Sequence, residues 1–233
     1  MSKPKAGMAA IWAHDVRIPS GAVVLDGELS IPQGGRGVVL FAHGSGSSRH
    51  SPRNQSVARV IREAGVGTLL FDLLTWEEED IDIHTRHLRF DIGLLAQRLV
   101  DATNWLAEGI NWISDQAKPE HLRPGYFGAS TGGGAALVAA AMLGEEVGAV
   151  VSRGGRPDLA GPALAQVRSP TLLIVGGHDE PVIRLNQEAY AQLRCEKELK
   201  IVPGATHLFE EPGTLEEVAR LAAEWFRQHL QPR

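Results

Sequence analysis

Cysteine is almost absent from this chain of 233 residues, which contains Cys195 and no other. A single cysteine excludes a disulfide within the chain and a zinc site built from several cysteines. An excess of basic residues is also missing, since the formal net charge is −5. This charge argues against nucleic acid or an anionic membrane as the main partner.

Long apolar runs are missing as well. The longest, residues 135–143, has nine residues, whereas a helix needs about 20 to span a bilayer. The first residues contain no apolar core of the length found in signal peptides. We therefore expect a cytoplasmic protein without a membrane partner, and the scarcity of cysteine suits a reducing compartment.

Short apolar runs of strand length alternate with segments of helical periodicity along most of the chain. The predicted strands are residues 37–42, 68–74, 125–129, 147–152, 171–175 and 199–202. Two earlier candidates, 16–18 and 23–31, are joined by a Ser20-Gly21 turn and are predicted to be antiparallel. The pattern predicts a single α/β domain over residues 1–233, with a mostly parallel sheet and helices on both faces. The last helix is expected to begin with a capping box of Thr214 and Glu217.

Residues 76–85 interrupt this alternation between a predicted strand and its helix. The acidic residues of the segment are Glu77, Glu78, Glu79, Asp80 and Asp82. Two interpretations are open: a solvated loop, or an acidic lid or rim loop over a site. The nearby His84 and His87 do not complete a recognisable ligand set with these carboxylates, so we expect no metal site.

Residues 126–134 read YFGASTGGG and contain the pattern Gly-x-Ser-x-Gly, with Ser130 at its centre. An apolar run precedes this pattern and an alanine-rich run follows it, which is typical of a serine on a tight turn from strand to helix. A dinucleotide fingerprint requires a second glycine where Ser130 stands, and a Walker loop requires a lysine that is missing. The pattern therefore favours a nucleophilic serine, and a purely structural glycine-rich turn is the alternative.

A nucleophilic serine needs a histidine as base and an acid that orients the histidine, here in the chain order serine, acid, histidine. Asp179 follows the strand predicted at 171–175, with Glu180 as the alternative acid. His207 follows the strand predicted at 199–202. The carboxyl ends of parallel strands share one edge of a sheet, so we predict a triad of Ser130, Asp179 and His207. Alone, the aspartate could be a helix cap and the histidine a loop residue.

The run His43-Gly44-Ser45-Gly46 follows the strand predicted at 37–42. A loop in this position commonly donates one N–H to the oxyanion, and the residue after the nucleophile donates the other. We therefore predict that the backbone N–H groups of Ser45 and Thr131 form the oxyanion hole. His43 is expected to be structural, with its ring bonded to nearby loop backbone.

Four segments together resemble the α/β-hydrolase superfamily, and within it the dienelactone-hydrolase-like branch. They are FAHGSGSS, GASTGG, GGHDEPV and GATHLF. The resemblance covers nearly the whole chain and implies hydrolysis of an ester, lactone or related acyl compound without a cofactor. Dienelactone hydrolase carries a cysteine at the elbow, whereas this chain has Ser130 there. A serine depends on a base such as His207 for activation, which favours a general esterase over the specific dienelactone substrate.

Three further residues are candidate substrate contacts at the same edge of the sheet. Arg153 follows the strand predicted at 147–152, and Arg49, with Arg53 nearby, follows the oxyanion loop. Arginine there could hold a substrate carboxylate, or could pair with the acidic segment instead. Trp76 could form a wall of the acyl pocket or anchor its own segment.

The function predicted from the sequence is a serine hydrolase that acts on a small carboxylic ester or lactone through an acyl-enzyme. An acyltransferase or thioesterase with the same triad, and a binding protein without turnover, are the alternatives. We expect no nucleic-acid partner and either a monomer or a homodimer.

Overall fold

The computed structural model describes residues 11–109 and 122–230. The strands of these residues are β1 (Ile11–Ser20), β2 (Val23–Pro32), β3 (Gly37–Ala42), β4 (Gly67–Phe71), β5 (Arg123–Ala129), β6 (Ala149–Arg153), β7 (Thr171–Gly176) and β8 (Lys197–Val202). The helices are α1 (Pro52–Glu63), α2 (Trp76–Thr85), α3 (Ile92–Gly109), α4 (Thr131–Leu143), α5 (Glu180–Gln192) and α6 (Thr214–His229). Short 3₁₀ segments lie at Leu88–Phe90, Gly144–Glu146 and Pro157–Gln166.

The strands form one sheet in the order β1-β2-β4-β3-β5-β6-β7-β8. β1 and β2 pair antiparallel, as do β2 and β4, and every pair from β4 to β8 is parallel. All six residues of β3 are buried, which is the pattern of a parallel strand covered on both faces. The predicted α/β fold with antiparallel N-terminal strands is confirmed.

Two apolar cores lie on opposite faces of the sheet. On one face α1 and α6 pack through residues such as Ile61 and Phe226. On the other face α3 and α4 pack through residues such as Leu99 and Leu137. Because the helices cover both faces, the functional groups collect at the edge where β3 and β5 to β8 end.

The acidic segment is a helix, α2, and the prediction of a loop at 76–85 is wrong. A capping box starts it: the Thr75 hydroxyl accepts from the Glu78 N–H at 3.2 Å, and the Glu78 carboxylate accepts from the Thr75 N–H at 2.8 Å. Glu78 also binds the buried Arg98 of α3 at 2.6 and 2.7 Å. Asp82, one turn later, is buried and pairs with Arg89. Two of the acidic side chains therefore anchor the helix instead of facing solvent.

Several predicted boundaries also shift. β4 ends at Phe71 instead of 74, and β6 runs from Ala149 to Arg153 instead of 147–152. The capping box expected at Thr214 and Glu217 is absent. Gly213, with φ 81°, precedes α6, and the Thr214 hydroxyl donates to the Glu211 carbonyl at 2.7 Å.

Candidate active site

Ser130 lies on a strained turn between β5 and α4. Its backbone has φ 51° and ψ −121°, a left-handed conformation that a non-glycine residue rarely adopts and that costs of order 1–3 kcal/mol. The flanking glycines allow the chain to pass: a Cβ on Gly128 would lie 2.5 Å from the Gly132 carbonyl oxygen, and one on Gly132 would overlap the carbonyl oxygen of Ala42. The spacing of Gly-x-Ser-x-Gly is thus a steric requirement of this turn.

The loop after β6 holds the turn in place. The Ser130 N–H donates to the Arg153 carbonyl at 3.3 Å. The Ser130 carbonyl accepts from the N–H groups of Gly133 and Arg156, each at 3.0 Å. These three backbone bonds offset part of the conformational strain and fix the direction of the serine side chain.

Asp179 and His207 lie after β7 and β8 and are hydrogen-bonded to each other. The distance from His207 Nδ1 to Asp179 Oδ2 is 2.7 Å, and the aspartate side chain is 13% exposed. The His178 N–H donates to the Ala205 carbonyl at 2.9 Å, which joins the two loops. With the proton on Nδ1 facing the carboxylate, Nε2 is left as the acceptor that a general base requires.

Ser130 and His207 line one cavity of about 240 Å³. Among the described residues the Ser130 hydroxyl has no hydrogen bond to His207, so of the two hydrogen bonds of the predicted triad only the one between His207 and Asp179 is formed in this structure. Such contacts are often long before substrate binds and shorten in the complex. The structure therefore brings the three residues to one site, with the His207 ring already oriented by Asp179.

The two predicted oxyanion donors are adjacent, but one of them is engaged. The Ser45 N–H donates to the Thr131 hydroxyl at 3.1 Å, and the two hydroxyl oxygens are also 3.1 Å apart. The Thr131 N–H lies in the first turn of α4, where backbone donors have no partner within the helix. The Thr131 N–H thus has no partner within α4, whereas the Ser45 N–H is bonded to the Thr131 hydroxyl, and their role as an oxyanion hole stays a prediction.

His43 is structural, as predicted. The Leu73 N–H donates to its Nε2 at 2.9 Å, which places the proton on Nδ1, and this proton faces the Gly44 carbonyl at 3.0 Å. Burial lowers the pKa of His43, and the Gly44 bond opposes this shift only in part. The neutral ring ties the oxyanion loop to the end of β4.

The three candidate substrate contacts separate into two places. Arg153 lines the cavity of Ser130. Arg49 lines a neighbouring open cleft of about 830 Å³, where its guanidinium pairs with Asp72 and its N–H donates to the same carboxylate at 2.7 Å. Trp76 lines that cleft too and is 79% exposed. Arg49 and Trp76 therefore line the neighbouring cleft instead of the cavity of Ser130, and their contact with a substrate stays a prediction.

Arg53, which the sequence places beside Arg49 as an arginine that could hold a substrate carboxylate, is a residue of the cavity. It lies in the first turn of α1 and lines both the cavity of Ser130 and the neighbouring cleft. The proline before it and the serine cap before that mark the start of the helix. Their position after the oxyanion loop was the signal that this side chain could reach the site.

No cluster of three or more metal-ligating side chains is found within residues 11–109 and 122–230. In the same residues, no helix combines the length and the apolar character needed to cross a membrane.

The profile of the dienelactone hydrolase family matches residues 25–231. The chain belongs to the dienelactone hydrolase family. It is 61% identical to a dienelactone hydrolase from Anabaena variabilis ATCC 29413, whose crystal structure superposes with a TM-score of 0.89 over 95% of this chain and 99% of that one. The predicted family is therefore confirmed.

Other relatives of this dienelactone hydrolase family member differ in length or in sequence. A putative phosphoribosyl transferase of Mycobacterium tuberculosis is 58% identical over 217 residues, which are 93% of this chain and 46% of that protein. The chain thus spans about half the length of the curated relatives that it matches. Est1E from Butyrivibrio proteoclasticus shares the fold, with a TM-score of 0.72 over 93% of this chain and 98% of that one at 16% identity.

Proposed function

We propose that the protein is a serine hydrolase that cleaves a carboxylic ester or lactone, with Ser130 as nucleophile, His207 as base and Asp179 as the orienting acid. The observation that carries the proposal is the 2.7 Å bond from Asp179 to His207 Nδ1 beside a cavity that Ser130 and His207 share. Membership of a hydrolase family supports the reaction class.

The reaction runs in two halves. The Ser130 Oγ attacks the acyl carbonyl while His207 Nε2 takes the hydroxyl proton, and the negative charge of the addition intermediate settles on the former carbonyl oxygen. The C–O bond to the leaving alcohol then breaks, and His207 returns the proton to that alcohol. Water, activated by His207, attacks the acyl-enzyme, which releases the acid and restores the serine.

Asp179 keeps the base in its productive tautomer and stabilises the imidazolium that forms in each half. The Thr131 N–H, at the positive end of α4, is the first oxyanion donor. Ser45 becomes the second when its N–H leaves the Thr131 hydroxyl. Each such donor contributes about 2.7–4 kcal/mol to stabilisation of the transition state.

Labelling with a fluorophosphonate probe tests the proposal. We expect a single adduct on Ser130, located by mass spectrometry, and hydrolysis of p-nitrophenyl butyrate that is lost in Ser130→Ala. Ser56→Ala, on the flank of α1, is the matched control and is expected to retain both. Unlabelled Ser130 together with full activity of Ser130→Ala would refute the triad and favour a binding protein. A panel that adds thioesters and alcohol acceptors separates hydrolysis of esters from the alternatives of thioester cleavage and acyl transfer.

A further inference from the structure

The open cleft beside the cavity of Ser130 is continuous with that cavity. The cleft has a volume of about 830 Å³, against about 240 Å³ for the cavity. Three residues from the loop after β3 and the start of α1 line both spaces: Ser47, Ser51 and Arg53. A molecule bound at Ser130 can therefore extend into the cleft without a break. The cleft lies within the range of about 300–1,000 Å³ that is usual for small-molecule sites.

The charges that line the cleft nearly cancel. Three arginines and four carboxylates are among its lining residues. The guanidinium of Arg49 pairs with Asp72, and Arg17 lies opposite Asp26 in the pairing of β1 with β2. Opposite charges at such positions offset each other, so the cleft offers little electrostatic attraction to either an anion or a cation. The group that it takes has to be recognised by something other than charge.

An exposed aromatic ring is the feature of the cleft that calls for a partner. Trp76, the first residue of α2, lines the cleft and is 79% exposed, the highest value of any large apolar side chain among the described residues. Tryptophan is normally one of the more buried residues. Here the helix that carries it is anchored by the ion pairs of Glu78 with Arg98 and of Asp82 with Arg89. A ring held in water on a rigid helix is a surface for stacking.

The two spaces suit the two halves of an ester differently. Ser130 and His207 line the smaller cavity, where Arg153, only 7% exposed, forms part of the wall. In the proposed reaction the acyl half stays on the serine until water attacks, whereas the alcohol half has to leave first. A small cavity holds a short acyl group in place. A cleft that is open to solvent lets the alcohol depart.

We propose that the cleft is a subsite for the alcohol half of the substrate, and that Trp76 stacks there on a planar aromatic or heteroaromatic group. The preferred substrate is then an ester of a short acyl group with an alcohol that carries an uncharged aromatic ring. This inference rests on the proposed function, since it assigns the leaving group of the Ser130 site. It makes Trp76 a specificity residue for acylation that has no part in deacylation.

Two esters with the same acyl group test the subsite. They are 2-(2-naphthyl)ethyl butyrate and its decahydro analogue, which differ only in whether the rings of the alcohol are aromatic. We expect the wild-type protein to prefer the aromatic ester in kcat/KM. The ratio of the two values should fall about 3- to 10-fold in Trp76→Leu, the usual contribution of one aromatic pair. Trp76→Phe should retain part of the ratio, and the rate of deacylation should be the same in all three proteins.

The control is Phe90→Leu, because Phe90 is an exposed aromatic residue outside the cleft. It is expected to leave the ratio unchanged. An unchanged ratio in Trp76→Leu would overturn the inference. A third ester, ethyl 2-naphthylacetate, carries the aromatic rings on its acyl half. Loss of its hydrolysis in Trp76→Leu, with no change in the ratio of the first two esters, would overturn the assignment of the cleft to the alcohol.

Binding of the free alcohol separates the subsite from the proposed chemistry. The alcohol 2-(2-naphthyl)ethanol is titrated by calorimetry into Ser130→Ala, with and without Trp76→Leu. We expect the affinity to be about 3- to 10-fold weaker in the double variant. Equal affinities, or no binding to either protein, would overturn the subsite. Binding that depends on Trp76, in a protein that forms no acyl-enzyme on Ser130, would refute the proposed function and leave the aromatic site standing.

Discussion

Replacement of Asp179 by asparagine removes one charge from the site and changes little else. In the structure Oδ2 lies 2.7 Å from His207 Nδ1, and the aspartate side chain is 13% exposed, so the bond is shielded from water. An asparagine of the same shape either presents its oxygen, which leaves the imidazolium without a counter-charge, or presents its NH₂ group, which forces the proton onto Nε2. Both arrangements disable the base.

We expect kcat to fall about 10³- to 10⁴-fold in Asp179→Asn, which corresponds to about 4–5.5 kcal/mol of transition-state stabilisation. The assay is initial-rate hydrolysis of p-nitrophenyl butyrate, with the midpoint of thermal unfolding measured in parallel. Glu180→Gln is the control, because Glu180 is the neighbouring carboxylate that the sequence left as an alternative and is exposed at the start of α5. Activity of Asp179→Asn within about threefold of wild type would refute the role of Asp179 as the orienting acid. A large loss of activity in Glu180→Gln would refute it as well.

Three further predictions concern stability. Gly132→Ala drives a methyl group into the carbonyl of Ala42 and should lower the free energy of unfolding by at least about 3 kcal/mol in urea titrations. The control is Gly93→Ala, where a methyl group would have no atom closer than 3.4 Å and should lower that free energy by less than about 1 kcal/mol. Arg153→Met should raise the free energy of unfolding by about 1–3 kcal/mol, because it removes an unpaired buried charge; a decrease would contradict that account. Burial lowers the pKa of His43, so below about pH 6.5 the unfolded chain takes up a proton that the folded chain resists. The free energy of unfolding therefore decreases as the pH is lowered. His43→Gln should reduce that slope by up to about 1.4 kcal/mol per pH unit, and an unchanged slope would show that His43 is not the group involved.

Strands β3 and β7 could be predicted because each is a continuous apolar run. β3 and β7 are buried along their whole length, and such runs have no other stable position in a chain of this size. The choice of Asp179 and His207 for the predicted triad followed from the same reasoning, since both are polar residues in the loops after predicted strands.

Helix α2 was missed because charge was interpreted as exposure. Glu78 and Asp82 are four residues apart and point to the same side, where Arg98 and Arg89 neutralise them. The pattern Thr75-x-x-Glu78 was a local signal of a helix start. The arginine partners come from elsewhere in the chain, and their approach depends on packing that spacing does not reveal.

The arginines at the site show the same limit. Arg49 and Arg153 have similar positions in the sequence pattern, one after the strand predicted at 37–42 and one after the strand predicted at 147–152. In the structure Asp72 pairs with Arg49, whereas no carboxylate reaches Arg153 among the described residues. Tertiary contacts decide which of these arginines is paired. They also decide that the Ser45 N–H donates to the Thr131 hydroxyl.

Direct detection of an acyl-enzyme on Ser130 tests the central claim. The protein is mixed rapidly with p-nitrophenyl butyrate, the release of nitrophenolate is followed on the millisecond scale, and samples quenched in acid are digested and analysed by mass spectrometry. We predict butyrylation of the peptide that contains Ser130, formed at the rate of the first turnover and absent from His207→Ala and Ser130→Ala. Steady hydrolysis with no acyl group on Ser130 at any time, or an acyl group on another residue, would contradict the account.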